Sequence, residues 1–152
     1  MIGSLLRVLL LAHAGATLFM VGVIWFVQVV HYPLFGLAGT EEFPAYEQAN
    51  TRRTLRVVAP VMLVEAASAL LLVWARPPGV SMTQVVAGLV LLLVIWLSTF
   101  VLQVPAHDQL TRAYSPAVHA TLVQTNWIRT AAWSLRGVVV LWMVWSAARG
   151  WR

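Results

Sequence analysis

Residues 124–137 read QTNWIRTAAWSLRG and stand near the start of the last apolar run of the chain. The stretch carries two arginines, although charged side chains are expensive in a membrane segment and normally face a bundle interior or a watery cavity. At about 100° per residue, a polar stripe falls within roughly a 100° arc of the helix. Its members are His119, Asn126, Arg129, Trp133 and Arg136. The stretch therefore predicts a helix that meets acceptors, carboxylates or a bound anion on its neighbours.

The composition is that of an integral membrane protein. Of 152 residues, 61% are hydrophobic and 10% are charged, whereas soluble domains carry about 25% charged residues. The chain has room for four spans of about 20 residues each. The sequence predicts a single integral membrane domain over residues 1–152, an all-α, four-transmembrane-helix bundle that runs up-down-up-down.

The predicted spans are approximately residues 5–30, 57–75, 82–104 and 127–148. The first apolar run is too long for a signal peptide, so it is expected to stay uncleaved. Tyr32-Pro33 is expected to end this helix, because the residue before proline is biased away from the helical region. Ser81 and Ser115-Pro116 are the predicted starts of the third and fourth helices. Helices two and four are predicted to extend beyond the membrane on one side.

The charge pattern concerns partners and orientation. All ten basic residues are arginine, and the formal net charge is +5. No soluble basic domain is predicted that could bind nucleic acid, so the expected partner is the lipid bilayer, and the oligomeric state stays open.

Four arginines lie on the side of the termini and five on the other. If some of the five belong to a site, the arginines on the termini side are the clearer signal for membrane orientation. Both termini are therefore expected in the cytoplasm.

Three deep polar residues are predicted to meet inside the bundle. Counted at about 1.5 Å per residue, His13, Glu65 and Arg136 lie at similar depths. An unpaired buried charge would cost several kcal/mol, which favours a structural ion pair between Glu65 and Arg136 with His13 as a hydrogen-bonding third member. The functional alternative is a proton relay or general base centred on Glu65 and His13.

A second polar group is predicted nearer the side of the loops between helices one and two and between helices three and four. Its stripe on helix two consists of Tyr46, Asn50, Arg53, Val57 and Val64. Arginines and amides on inward stripes suit an anionic or carbonyl-bearing head, such as a lipid, an acid or a quinone. The predicted ligand-binding residues are Gln28, Tyr46, Asn50, Arg53, Gln103, Asn126 and Arg129.

Histidines on the same side raise the question of metal or haem. Two inward histidines, His31 and His107, can hold a haem between helices or form part of a metal site, which His119 could join. No histidine–carboxylate pair with metal-ligand spacing stands on one helix, and the di-iron pattern of carboxylate bundles is missing. Because cysteine is also missing, cysteine-based zinc and iron–sulfur sites are excluded. Hydrogen-bonded neutral histidines are the preferred interpretation, and the cofactor stays unknown.

Four pieces of the chain, WFVQVVHYPLF, AYEQANTRRTLRVVAPVMLVE, IWLSTFVLQVPAH and TNWIRTAAWSLRG, together resemble small, largely uncharacterised bacterial four-helix membrane proteins. More distantly, the chain resembles the anthrone-oxygenase-like family, whose members have a histidine-proline element after the first helix. His31-Tyr32-Pro33 would be that element here. The resemblance implies a bacterial inner-membrane protein and an oxygenase-like role on a lipophilic aromatic substrate.

Three functions follow from these observations. The leading one is an integral membrane protein that binds, and could also transform, a lipophilic molecule with a polar or anionic head. The second is a haem- or quinone-linked redox protein that uses His31 and His107. The third is a non-catalytic structural or partner protein of the membrane. The sequence leaves open whether the protein is an enzyme; His31, His107, Glu65 and His13 are its candidate catalytic residues.

Overall fold

A computed structural model describes residues 2–151. Over this range the chain forms an all-α bundle of four long helices, and it contains no strand. The helices are α1 (Ile2–Leu37), α2 (Phe43–Trp74), α3 (Met82–Leu110) and α4 (Pro116–Gly150). Each is long and apolar enough to cross a membrane. This agrees with the predicted four-helix membrane bundle. Helices suit lipid, because each satisfies its backbone hydrogen bonds within its own segment.

The predicted helix starts are confirmed by their caps. Ser81 accepts from the backbone N–H of Gln84, and the Gln84 side chain accepts from the backbone N–H of Ser81, which completes a capping box. Ser115 likewise accepts from the backbone N–H of Val118, with Pro116 in the first turn. These bonds satisfy N–H groups that have no partner within a helix.

The prediction that Tyr32-Pro33 ends the first helix is wrong. A π-helical turn occupies Val27–His31, and the chain continues helically to Leu37. In this turn the N–H of Tyr32 reaches the carbonyl of Val27, five residues back. The wider turn re-pairs the backbone just before Pro33, whose missing N–H would otherwise break an α-helical ladder.

The third helix has the same arrangement, a π-helical turn followed by a proline. Its π-helical turn covers Thr99–Gln103, and the N–H of Val104 reaches the carbonyl of Thr99. Pro105 then follows its turn at the same distance as Pro33 follows the first one, so α3 runs on to Leu110. The helix therefore extends beyond the predicted span 82–104, and His107 lies within it.

Three apolar layers are stacked along the bundle. The layer near the termini includes Leu10 and Met143, and the middle layer includes Met20 and Trp133. The third layer lies near the other end and consists of Val27, Tyr32, Phe35, Phe43, Ala106, Leu110 and Leu122. Buried polar residues occupy the levels between these layers, and the outward faces carry exposed aliphatic side chains. Such apolar outward faces support an integral membrane location.

Candidate functional site

A cavity of about 370 Å³ opens between α1, α2 and α3, and one residue of α4 also lines it. This volume is within the usual range of small-molecule sites, about 300–1,000 Å³. The polar residues that line it are His31, Tyr32, Asn50, Thr51, Thr54, Thr99, Gln103, His107, Asp108, Thr111 and Arg129. We call this cavity the bundle pocket.

One wall of the bundle pocket is apolar and reaches the outer surface of the bundle. Met20, Ile24 and Val58 form part of this wall. Leu55 and Val104 also line the pocket, yet they are 62% and 49% exposed. The cavity is therefore open on this side of the bundle, between exposed aliphatic side chains.

Both π-helical turns contribute to the bundle pocket. Val27 and His31 come from the turn in α1, and Thr99 and Gln103 come from the turn in α3. An extra residue per turn changes the direction in which the following side chains project, and such turns occur frequently at functional sites. Two of them at one cavity indicate that its shape depends on this departure from the α-helix.

Arg129 brings a cation to the pocket from α4. It forms no ion pair with any residue in the range 2–151, and its buried Nε has no hydrogen-bond partner there. The guanidinium carbon lies 5.3 Å from the centre of the Trp133 ring, a cation–π contact, and the group is close to the Tyr32 hydroxyl. Because a cation that is largely withdrawn from water normally has an anionic partner, the half-buried Arg129 is suited to hold an anion or an oxygen acceptor.

Gln103 adds a hydrogen-bond acceptor, which complements the donor Arg129. Its Nε2 donates to Thr125 over 2.9 Å, which fixes the orientation of the amide. Its Oε1 is buried and has no partner in the described part of the chain. The pocket thus contains both a donor, Arg129, and an acceptor, Gln103, with unfilled hydrogen-bonding capacity, as a polar ligand head requires.

A chain of three side chains ends at the bundle pocket. Glu47 is fully buried, and its Oε1 forms a short hydrogen bond with Nδ1 of His107. Nε2 of His107 lies 2.8 Å from the hydroxyl of Tyr32. The order carboxylate, imidazole, hydroxyl is that of the catalytic triads, with a phenol in the place of the serine.

A branch of the same network leads to the other histidine of this side. Glu47 Oε2 accepts from Asn50 Nδ2 over 3.0 Å, and Asn50 Oδ1 lies 2.9 Å from Nε2 of His31. Thr54 also donates to Asn50 Oδ1, over 3.1 Å. Glu47 therefore links the histidine of α1 with the histidine of α3, and neither histidine is an isolated group.

The structure separates the predicted ligand-binding residues into two sets. Asn50, Gln103 and Arg129 line the bundle pocket. Four others lie outside its lining, namely Gln28, Tyr46, Arg53 and Asn126.

Gln28 and Asn126 are paired with each other between α1 and α4. Asn126 Nδ2 donates to Gln28 Oε1 over 2.8 Å, and Gln28 Nε2 donates to the carbonyl of Val123 over 3.1 Å. Thr130 also donates to Gln28 Oε1, over 3.3 Å. These bonds hold two helices together and engage both polar atoms of the Gln28 amide.

Of the stripe predicted for helix two, Asn50 lines the bundle pocket, whereas the other members face outward. Arg53, Val57 and Val64 are all exposed, and Tyr46 is 42% exposed. Arg53 lines a separate surface groove with Arg52 and Arg56. The inward face of α2 is instead the one that carries Glu47 and Glu65, both of them fully buried.

The ligand-binding and catalytic residues predicted from the sequence include neither Glu47 nor Tyr32. A signal for Glu47 was present, since Glu47 and Glu65 are eighteen residues apart, which is five turns of about 3.6 residues. An inward Glu65 therefore places Glu47 on the same face. Tyr32 falls on the inward polar stripe of the first helix with His31, but the sequence also predicts that the helix ends there, and the π-helical turn before it has no simple sequence signature.

His13, Glu65 and Arg136 form a separate cluster, nearer than the pocket to the end of the bundle that carries the chain termini. Arg136 Nε donates to Glu65 Oε1 over 2.7 Å, with both side chains fully buried. His13 Nδ1 lies 2.9 Å from the hydroxyl of Ser68. That hydroxyl donates to the carbonyl of Val64, so His13 is the donor to Ser68. His13 is thus hydrogen-bonded beside the ion pair.

The candidate metal ligands are not gathered in one place. Within residues 2–151, no group of three histidine, cysteine or acidic residues has the arrangement of a metal site. His119 Nε2 lies 2.8 Å from the carbonyl oxygen of Tyr32, to which it donates. His107 has both ring nitrogens in hydrogen bonds. An iron or other metal would have to displace Tyr32 or Glu47 to reach His107.

Comparison with known proteins adds no family: no family model matches the chain, and neither a curated protein nor a solved structure is significantly similar to it.

Proposed function

We propose that this integral membrane protein binds a lipophilic molecule with a polar or anionic head in the bundle pocket. The observation that carries the proposal is Arg129, a cation that lines the pocket and has no acidic partner in residues 2–151. The free energy cost of desolvating a charge is recovered when an anion or a strong acceptor binds it.

The lipophilic part of the ligand is supported by the shape of the pocket. Its apolar wall leads from the polar end to the exposed side chains of Leu55 and Val104. A bilayer-dissolved tail would occupy this wall, while its head would reach Arg129 and Gln103. The head would receive a hydrogen bond from Arg129, and a head that carries a hydroxyl or a protonated acid group would also donate one to Gln103 Oε1.

Binding of a dansyl-labelled fatty acid to the detergent-purified protein tests the proposal, because energy transfer from tryptophan reports a ligand inside the bundle. Arg129→Gln removes the charge but keeps a polar side chain. We expect roughly tenfold to hundredfold weaker binding, since a hydrogen bond to a charged group contributes about 1.5–3 kcal/mol. Arg53→Gln is the matched control, because Arg53 is exposed and lies outside the pocket.

The two variants separate pocket binding from general attraction to arginine. An unchanged affinity in Arg129→Gln, or an equal loss in both variants, would contradict the proposal. Leu55→Trp offers a second probe, because a bulky ring at the mouth of the pocket should obstruct the tail without a change in charge.

A further inference from the structure

We propose that Glu47, His107 and Tyr32 form a proton relay that makes Tyr32 the acid–base group of the bundle pocket. The substrate class is a lipid-like molecule with an enolisable carbonyl at its polar end. The inference rests on the proposed binding function and adds a reaction to it.

The hydrogen-bond partners assign the protons of the relay. Glu47 accepts from the Asn50 amide at Oε2, so the carboxylate acts as an acceptor at that oxygen. The relay requires that Oε1 accepts the Nδ1–H of His107, with which it is in hydrogen-bond contact. This leaves a lone pair on Nε2 of His107, to which the Tyr32 hydroxyl donates over 2.8 Å. The imidazole is thus oriented to take the proton of Tyr32.

Charge favours the transfer. Before it, the Glu47 carboxylate faces a neutral imidazole and Arg129 faces a neutral phenol. After it, Glu47 pairs with an imidazolium and Arg129 lies beside a phenolate. One proton transfer therefore gives both charges, Glu47 and Arg129, a neighbour of opposite sign, which lowers the cost of forming the phenolate in a low-dielectric site.

The chemical step is a proton shift with no redox change. The Tyr32 O–H bond breaks, and its proton moves to Nε2 of His107. The phenolate oxygen then takes a proton from the carbon next to the ligand carbonyl, and the C–H electron pair forms the enolate. Arg129 stabilises the negative oxygen. Return of the proton to carbon restores the ketone, and its return to oxygen gives the enol, so atoms and electrons balance in both directions.

The roles of the three residues differ. Tyr32 lines the pocket and would exchange protons with the ligand, so it is the catalytic residue. Glu47 lies outside the lining and acts through His107, whose tautomer it fixes, so it is a positioning residue.

The test uses methyl nonyl ketone and the detergent-purified full chain in deuterium oxide. Exchange of the hydrogens next to the carbonyl is followed by mass spectrometry, and binding of the same ketone is followed by saturation-transfer NMR. Tyr32→Phe keeps the ring but removes the hydroxyl. We expect its exchange rate to fall by about 100-fold or more, with ketone binding retained.

Tyr114→Phe is the matched control. The Tyr114 hydroxyl lies 3.4 Å from Nδ1 of His119, so it is a second tyrosine–histidine pair, but neither residue lines the pocket. Its exchange rate should stay near that of the unaltered protein. Glu47→Gln serves as a second variant if Tyr32→Phe does not fold. It should lower the maximal exchange rate with little effect on the half-saturating ketone concentration, whereas a merely structural role would change both.

The outcomes separate this inference from the proposed function. Saturable exchange that is lost in Tyr32→Phe but kept in Tyr114→Phe supports the relay. No exchange by the unaltered protein, or equal exchange in Tyr32→Phe, overturns it. If the dansyl-labelled fatty acid still binds in that case, the binding function stands without the relay. If neither probe binds, both proposals fail.

Discussion

The carboxylate of Glu65 accepts a 2.7 Å hydrogen bond from Nε of Arg136 where all four helices meet. Thr17 from α1 donates to the same carboxylate over 2.9 Å, and Trp133 from α4 donates to its other oxygen over 3.3 Å. Arg136 also donates to the carbonyl of Gly88 on α3. One ion pair on α2 and α4 therefore connects every helix of the bundle.

Loss of one partner of this pair should destabilise the protein strongly. Arg136→Met leaves the Glu65 carboxylate buried without a cation, and breaking a buried pair costs about 3–5 kcal/mol of unfolding free energy. The double variant Glu65→Leu with Arg136→Met should recover much of this loss, because it removes both charges. Unfolding in mixed micelles measures the difference.

The exposed pair Arg112–Asp108 is the control for this prediction, since its side chains are 75% and 57% exposed. Arg112→Met should change the unfolding free energy little. Equal destabilisation by the single and the double variant at Glu65 and Arg136 would show that packing, and not the unpaired charge, carries the cost.

Asn126 is expected to stabilise the fold without contributing to ligand binding. Asn126→Leu leaves Gln28 Oε1 with only the longer bond from Thr130, and a weakened buried acceptor costs about 1–3 kcal/mol. The unfolding midpoint should fall while the affinity for the dansyl-labelled fatty acid stays unchanged in the folded fraction. A selective loss of affinity with normal stability would instead show that Asn126 contributes to ligand binding.

Gly79 is required by the turn between α2 and α3. Its φ of +85° is rarely adopted by residues with a side chain, and an added Cβ would overlap the backbone carbonyl of Ser146. Gly79→Ala should therefore lower the unfolding free energy by more than about 1 kcal/mol. Gly15→Ala is the control, because no atom lies within 4 Å of its added Cβ. Similar thermal midpoints for both variants would contradict the argument.

The hydrogen bonds of His107 lead to a spectroscopic prediction. Because Tyr32 and Glu47 engage both of its ring nitrogens, we expect the detergent-purified protein to show no Soret band, whether oxidised or reduced with dithionite. A Soret band that shifts on reduction and disappears in His31→Ala and His107→Ala would instead establish the redox alternative. Metal analysis of the same sample completes the measurement.

The sequence predicted the depth of a residue along its helix more accurately than the side of the helix that faces the bundle core. Counting residues along each apolar run gave His13, Glu65 and Arg136 similar depths, and the structure has them in one cluster. The outward stripe on α2 shows where this reasoning failed. Tyr46 and Arg53 define a polar stripe by themselves, but rotation of a helix about its axis is set by the neighbours on which it packs.

The number of helices and two of their starts follow from the sequence without any tertiary contact. Both depend on local chemistry: a backbone in lipid must pair within its own segment, and Ser81 and Ser115 satisfy N–H groups of the turn that follows. Tertiary packing alone buries Glu47 against His107 and brings the Tyr32 hydroxyl to Nε2 of the same histidine. These contacts join residues far apart in the chain, and they depend on two π-helical turns whose small changes in direction come from packing as well as from the prolines that follow them.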